Sequence, residues 1–272
     1  MNQLNIYNES LELVEGQQYF SNRAFLYGES LFSTIRISQH KALFLTKHRD
    51  RLNESLQFMY QDQLPDNFNE NILQLCKYYP EAKIRATLYK ESSYEGLLGK
   101  EKKVQILYYL KSIDQKFLNQ ISEVSLCYGE SKKAETLLPS FLKNGSYLLA
   151  SLEKQNAVKR GYHDVIFLNQ TNHLTEATTS NILFKKDDRY YSPKPSSMVL
   201  GGITRSIIID SLRSKNIEVC ENPISIEEVI KMQQCWLLSS IIGLQKVIKL
   251  EESVFFNHGD DTELLKDILL EN

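Results

Sequence analysis

Residues Asp164–Ser214 read DVIFLNQTNHLTEATTSNILFKKDDRYYSPKPSSMVLGGITRSIIIDSLRS, and this stretch decides the fold class. Asp164–Leu168, Asn181–Lys185 and Arg189–Ser192 are short runs rich in apolar and aromatic residues, bounded by turn-forming residues, which predicts strands. Thr204–Ser214 carries Ile207, Ile208, Ile209 and Leu212, and its apolar spacing predicts a helix. The strands and the helix are interleaved, yet no dinucleotide-type glycine fingerprint follows a strand. The expectation is α+β rather than a doubly wound sheet.

Working outward, a helix is predicted from Tyr147 to Arg160, closed by Gly161, and Val124–Tyr128 precedes it as a strand. Downstream come a strand at Glu218–Cys220 and a helix opened by the capping box Ser225-Ile226-Glu227-Glu228. A strand at Cys235–Leu238 and a polar tail follow. The N-terminal part predicts strands at Phe32–Ser38, Lys83–Tyr89 and Val104–Leu110. Two helices fall between the first two: His48–Tyr60, with Leu52, Leu56 and Met59 in phase, and Phe68–Tyr79, stopped by Pro80. Lys111–Gln120 is polar and reads as a linker. The expected domains are therefore 1–113, small, and 114–272, larger, with Lys143 in the second.

Two domains also suit 272 residues at about 150 residues per domain. The apolar share is 42%, and 32 Lys and Arg stand against 34 Asp and Glu for a net charge of −2. That leaves no global field for nucleic acid or an anionic membrane, and neither partner is expected. Cys76, Cys127, Cys220 and Cys235 form no CxxC pair; the last three lie in apolar stretches and read as small buried residues. The segment MNQLNIYNESLELVEG lacks the basic start and apolar core of a signal peptide. The best apolar run, Trp236–Leu244, is too short for a membrane span, so a cytoplasmic protein with reduced thiols is expected. His40, His48, His163, His173 and His258 show no metal-ligand spacing, and no metal is expected; His48 reads as a surface or capping residue.

P-loop, zincin and serine-hydrolase motifs are absent. Four weaker features remain. Leu200-Gly201-Gly202-Ile203-Thr204-Arg205 opens a helix and offers backbone N–H groups to an anion such as phosphate, or is a plain turn capped by Thr204. Glu176, within Thr175–Asn181, is a lone carboxylate among hydroxyls, suited to holding a proton on a ligand nitrogen, or part of a solvated turn. Lys143, before Asn144-Gly145-Ser146-Tyr147, is a candidate amine nucleophile or an ordinary surface lysine beside a tight turn. Ser239-Ser240 follows a strand, where loop hydroxyls also reach phosphates.

Order and spacing join these features. Tyr27–Arg36 resembles the YGDGxFETIR opening of the class IV pyridoxal-phosphate enzymes, and His48–Leu52 its HxxRL helix. Lys143 with the helix ending Glu153–Ala157 resembles the segment bearing the catalytic lysine. Leu174–Asn181 resembles its TEgxssN strand and turn, and Gly202-Ile203-Thr204-Arg205 matches GITR residue for residue. The family holds branched-chain aminotransferase, D-amino acid aminotransferase and 4-amino-4-deoxychorismate lyase. The resemblance implies fold type IV: a small α/β domain, a larger pseudo-barrel α/β domain, pyridoxal 5'-phosphate (PLP) between them, and a homodimer. It implies that Lys143 bonds the cofactor covalently and Glu176 sits against its ring nitrogen. Arg51, the N–H groups of Ile203 and Thr204, the Thr204 hydroxyl and Ser240 would hold its phosphate. Four positions depart from the pattern: Ser146 stands for Asn, Glu29-Ser30 for Asp-Gly, and Lys90 for Gly.

Within the family, Trp236–Leu244 discriminates. Aminotransferases tend to carry Glu where this chain has Gly243, and Ser240-Ile241-Ile242-Gly243-Leu244 is similar to the lyase run. Thr34 matches a hydroxyl position near the lyase site, so it joins Lys143 as a candidate catalytic residue. The resemblance therefore implies a lyase that converts aminodeoxychorismate to 4-aminobenzoate and pyruvate, a folate precursor step. The competing expectations are an aminotransferase acting on branched-chain or D-amino acids, and a non-catalytic protein that keeps the fold for binding. Arg36, Arg85 and Arg205 are available for substrate carboxylates.

Overall fold

The structure, a computed structural model, describes residues 4–12, 23–92, 101–114, 122–255 and 260–271. The chain divides into two units: Met1–Phe117 with Phe141–Ser146, and Leu118–Ser140 with Tyr147–Asn272. This differs from the expected single cut between 113 and 114, which placed Lys143 with the C-terminal part. Backbone hydrogen bonds explain the difference: Phe32 N–H donates to Lys143 O at 2.9 Å and Gly145 N–H to Ser30 O at 3.0 Å, so 141–146 pairs with the first unit. Of the expected linker, Lys111 and Ser112 end a strand, and 115–120 lies outside the described residues. Parts of the N-terminal segment read for a leader, 1–3 and 13–16, also lie outside them.

The first unit holds an antiparallel sheet of β1 (Leu4–Tyr7), β2 (Leu31–Ser38), β3 (Lys41–Ala42), β4 (Glu81–Ser92) and β5 (Glu101–Ser112), in the order β1-β5-β4-β2-β3. Short helix α1 (Arg23–Tyr27) precedes β2, and α2 (Leu45–Tyr60) and α3 (Phe68–Tyr78) lie between β3 and β4. Period-two alternation sends Leu31, Ile35 and Ile37 of β2 and Ile84, Ala86 and Leu88 of β4 to one face. There they meet Leu52 and Leu56 of α2 and Ile72 and Leu75 of α3. The opposite face carries Phe32, Thr34 and Arg36 beside Thr87, Arg85 and Lys83, their cross-strand partners.

The second unit holds β6 (Glu123–Lys133), β7 (Asp164–Asn169), β8 (Leu174–Ala177), β9 (Asn181–Lys186), β10 (Arg189–Tyr191), β11 (Val219–Cys220), β12 (Gln234–Ser239), β13 (Gly243–Leu250) and β14 (Ser253–Val254). Their order is β11-β10-β9-β12-β13-β6-β7-β8, with β14 paired to β13. The helices are α4 (Leu148–Lys159), α5 (Ile203–Ser214), α6 (Ile226–Val229) and α7 (Thr262–Glu271). Ile182 and Phe184 face one core with Cys235 and Leu237. Their neighbours Leu183, Trp236 and Leu238 face another, formed with Ile208 and Leu212 of α5 and Leu265 and Ile268 of α7. Burial on both faces explains why these strands read as continuous apolar runs.

Four expectations are corrected. The polar tail is largely a strand, a hairpin and α7, whose Leu265 and Ile268 are buried; 256–259 lies outside the described residues. Of the two readings of Thr175–Asn181, the strand and turn holds and the solvated turn alone does not, since Leu174–Ala177 is strand β8. Cys220 is only half-buried, because β11 is a two-residue edge strand; Cys76, Cys127 and Cys235 are buried. Thr204 is not a cap: Gly202 is the N-cap of α5 and Thr204 lies in its first turn. Among the described residues no helix is long and apolar enough to cross a membrane.

Candidate active site

In the first unit the site is built on β2 and the start of α2. Lys143 Nζ stands 4.9 Å from the centroid of the Phe32 ring. The Arg85 guanidinium stacks on the same ring at 3.5 Å and donates from Nε to Thr87 Oγ1 at 3.2 Å. Thr34 is the cross-strand partner of Arg85, so Phe32, Thr34 and Arg85 share one sheet face. Amine and guanidinium thus meet at one aromatic ring, where cation–π attraction favours both cations.

Ser33, on the opposite face of β2, joins His48 and Arg51 of α2. Arg51 Nη2 donates to Ser33 Oγ at 2.9 Å, and Ser33 Oγ lies 2.7 Å from His48 Nδ1. Ser33 Oγ thus links the Arg51 guanidinium to the imidazole through one hydroxyl. His48 is fully buried, not a surface or capping residue as expected. Burial, reinforced by the charges of Arg51 and Lys143, lowers its pKa to about 3. A neutral imidazole and a serine therefore anchor the Arg51 guanidinium.

In the second unit two of the sequence motifs meet. Glu176, on β8, accepts from the Leu200 N–H through Oε2 at 2.8 Å. Asn181 Nδ2 donates to Leu200 O at 2.8 Å and to the same Glu176 oxygen at 3.3 Å. The carboxylate is thereby tied to the Gly-Gly turn that opens α5. Close approach explains Gly202, where an added Cβ would stand 1.9 Å from Asn181 Oδ1. The glycine amides are taken up by the turn itself. Gly201 N–H donates to Ser140 O at 2.8 Å and Gly202 N–H to Leu200 O at 2.9 Å. Ile203 and Thr204, whose amides helix geometry leaves without a partner inside the helix, stand in the first turn of α5, and both are buried.

Ser240 occupies the turn between β12 and β13, and Gly243 follows with φ +76°, a left-handed backbone that suits glycine. Arg205 is not available to a substrate. Its Nε donates to Ser192 Oγ at 3.0 Å, and its Nη2 donates to Pro193 O at 2.9 Å and pairs with Glu221 at 2.7 Å. The structure thus groups Lys143 and Arg51 in the first unit and Glu176, Ile203 and Thr204 in the second. Sequence reasoning missed Ser33 and Lys133, whose Nζ donates to Glu176 Oε1 at 2.7 Å.

The donor chemistry fits PLP unit by unit. The first offers an amine for an aldehyde and a guanidinium for a phosphate. The second offers an anchored carboxylate for a ring nitrogen and a helix N-terminus for a phosphate.

Comparison with known proteins agrees. Residues 30–250 match the class IV amino-transferase family. The chain belongs to this family of PLP-dependent enzymes. It is 25% identical over 232 residues to a probable branched-chain-amino-acid aminotransferase of Synechocystis, covering 83% of this chain and 75% of that one. It is 24% identical over 254 residues to the aminodeoxychorismate lyase of Bacillus subtilis, covering 89% and 83%. It spans about half (48%) of a probable branched-chain-amino-acid aminotransferase of Rickettsia bellii. In fold it is similar to the crystal structure of a putative 4-amino-4-deoxychorismate lyase from Legionella pneumophila. The TM-score is 0.86 at 24% identity, covering 95% of this chain and 96% of that one. Fold type IV is thereby established.

Proposed function

We propose that this chain is a PLP-dependent 4-amino-4-deoxychorismate lyase, forming 4-aminobenzoate and pyruvate in the cytoplasm as a homodimer. The observation that carries the reading is the ring of Phe32. It brings the Lys143 amine together with Arg85, on a sheet face that also holds Thr34 and Arg36. The substrate is a six-membered ring with one amino group and two carboxylates, and this set matches it: an amine, a flat apolar ring and two guanidinium groups. Gly243, where the aminotransferases of the family tend to carry Glu, and the Bacillus lyase relative support the same reading.

Lys143, Arg51, Glu176, Ile203, Thr204 and Ser240 are assigned to the cofactor. When bound, PLP draws electron density from the carbon that carries the substrate's amino group. Lys143 Nζ takes the proton from that carbon. The enolpyruvyl group then leaves and the ring becomes aromatic; the two products together hold every atom of the substrate, so no water or oxidant is consumed. Thr34 Oγ is the second catalytic candidate, a hydroxyl able to hold or pass a proton. Glu176 would hold the ring-nitrogen proton, and Arg51 in the first unit and the start of α5 in the second are each assigned to the phosphate. Arg85 and Arg36 orient the substrate carboxylates. Aromatisation drives the reaction, so the chain's main task is to position the ring and move one proton.

A second reading is a class IV aminotransferase acting on branched-chain or D-amino acids, and the Synechocystis relative, a probable branched-chain-amino-acid aminotransferase, favours its branched-chain form. One assay separates the two: PLP-loaded protein is given aminodeoxychorismate without any 2-oxo acid, and 4-aminobenzoate is read. Product that is lost in Lys143→Ala supports the lyase. No product, with transamination once a 2-oxo acid is added, overturns it.

A further inference from the structure

The β6–β7 pairing is irregular just before Lys133. Tyr128 pairs with Ile166 and Lys132 with Leu168, so β6 advances four positions while β7 advances two. The extra chain bulges out at 129–131, and such bulges re-aim the side chains that follow them. Glu153 of α4, buried at 4% exposure, pins the bulge. Its Oε2 accepts from Glu130 N–H at 3.1 Å and its Oε1 from Ser131 N–H at 2.7 Å. Gly129 lies so close that an added Cβ would stand 3.3 Å from Phe167 and 3.5 Å from Glu153 Oε2.

Beyond the bulge the two lysines diverge. Lys132 Nζ donates to Asn172 Oδ1 at 2.7 Å. Lys133 runs over the Phe167 ring, 5.2 Å from its centroid, and reaches Glu176 Oε1 at 2.7 Å and Met198 O at 3.0 Å. Glu176 Oε2 is held on its other side by Leu200 and Asn181. Both carboxylate oxygens are therefore fixed, one by a cation and one by amides.

We propose that Lys133 is a positioning residue of the cofactor site: it orients the Glu176 carboxylate toward the cofactor's ring nitrogen, and the bulge pinned by Glu153 places it. The inference rests on the assignment of Glu176 to that nitrogen. Lys133 acts through Glu176 and touches neither cofactor nor substrate. A charge-assisted hydrogen bond of this kind fixes a carboxylate more firmly than a neutral donor does.

The test is a double-mutant cycle on the full-length protein, freed of cofactor and titrated with PLP while the visible band is followed. The variants are Lys133→Met, Lys133→Arg, Glu176→Gln and Lys133→Met with Glu176→Gln. Lys133→Met weakens PLP binding about tenfold, on the scale of one such hydrogen bond, and shifts the position or pH dependence of the band. Lys133→Arg restores both. In the Glu176→Gln background Lys133→Met adds nothing, because the carboxylate it orients is gone. An equal effect of Lys133→Met in both backgrounds overturns the proposal, since Lys133 would then act only through the Met198 loop. So does unchanged binding and spectrum in Lys133→Met. Glu176→Gln that alters neither affinity nor band refutes the assignment of Glu176 itself, a separate failure. Should Lys133→Met not fold, Lys133→Gln, which keeps a donor for Met198 O, carries the same cycle.

Discussion

Lowering the pH should loosen the first unit through one buried imidazole. Folded His48 titrates near pH 3, against 6.5 for an ordinary histidine. Between those values the unfolded chain binds the extra proton and the folded chain does not, so stability rises with pH. The contribution is complete above pH 6.5 and is lost as the pH falls toward 3. The cost approaches 1.4 kcal/mol per pH unit, or about 2 kcal/mol between about pH 7 and pH 5. The structure supplies the cause: protonation puts a cation on a fully buried ring, in a space that already holds the charges of Arg51 and Lys143. The assay is urea unfolding of wild type and His48→Gln at both pH values, followed by circular dichroism. The variant starts less stable, having lost the Ser33 contact, but its pH dependence should be shallower by that 2 kcal/mol. The histidines other than His48 are common to both proteins and cancel. Parallel pH dependences would refute the buried, neutral imidazole and, with it, the account of how Arg51 is anchored.

Gly202→Ala should push Asn181 off both Leu200 and Glu176, because its new Cβ would stand 1.9 Å from Asn181 Oδ1. A loss of about 1–3 kcal/mol is expected, read by calorimetry, together with weaker PLP binding in a direct titration. Glu153→Ala removes the acceptor of two strand amides. At about 1 kcal/mol for each half-buried hydrogen bond lost, the melting temperature should fall by roughly five degrees, which a thermal scan checks. Arg205→Lys keeps the charge but loses the planar fork that holds Ser192, Pro193 and Glu221. It should cost about 2 kcal/mol in denaturant unfolding without changing KM for the substrate; a KM effect would return Arg205 to the substrate site.

Much of the fold is legible because its elements obey simple periods. Phe32–Ser38 alternates, and the structure extends it by one residue to Leu31. Thr204–Ser214 carries its isoleucines at helical spacing, and α5 begins one residue earlier at Ile203. The Ser225 capping box is present with both of its reciprocal hydrogen bonds. The C-terminal region escaped for a physical reason. In α7 only Thr262, Leu265 and Ile268 are buried, too few apolar contacts for the pattern to stand out among exposed charges. Its burial comes from tertiary partners such as Trp236, whose Nε1 donates to Thr262 Oγ1 at 2.8 Å, and no local signal reports them.

The site divides along the same line. Glu176, Thr204 and Arg51 stand at fixed distances from recognisable punctuation: a hydroxyl-rich turn, a Gly-Gly pair, a short HxxRL run. What holds them is set by contacts far apart in the chain. Ser33 reaches Arg51 across 18 positions and Lys133 reaches Glu176 across 43. His48 was misjudged because a histidine near a helix start has a sound local explanation as a cap, and only the packing of α2 on β2 reveals that it is buried. Lys133 is hidden more deeply, since the strand expected at Val124–Tyr128 stops short of it and no local pattern distinguishes it from Lys132. The distinction is made by a buried carboxylate twenty residues later, Glu153, which holds the bulge in place. Positions assigned to a ligand can thus be legible in local sequence while the residues that orient them are not, because orientation is decided by which backbone amides a distant side chain can satisfy.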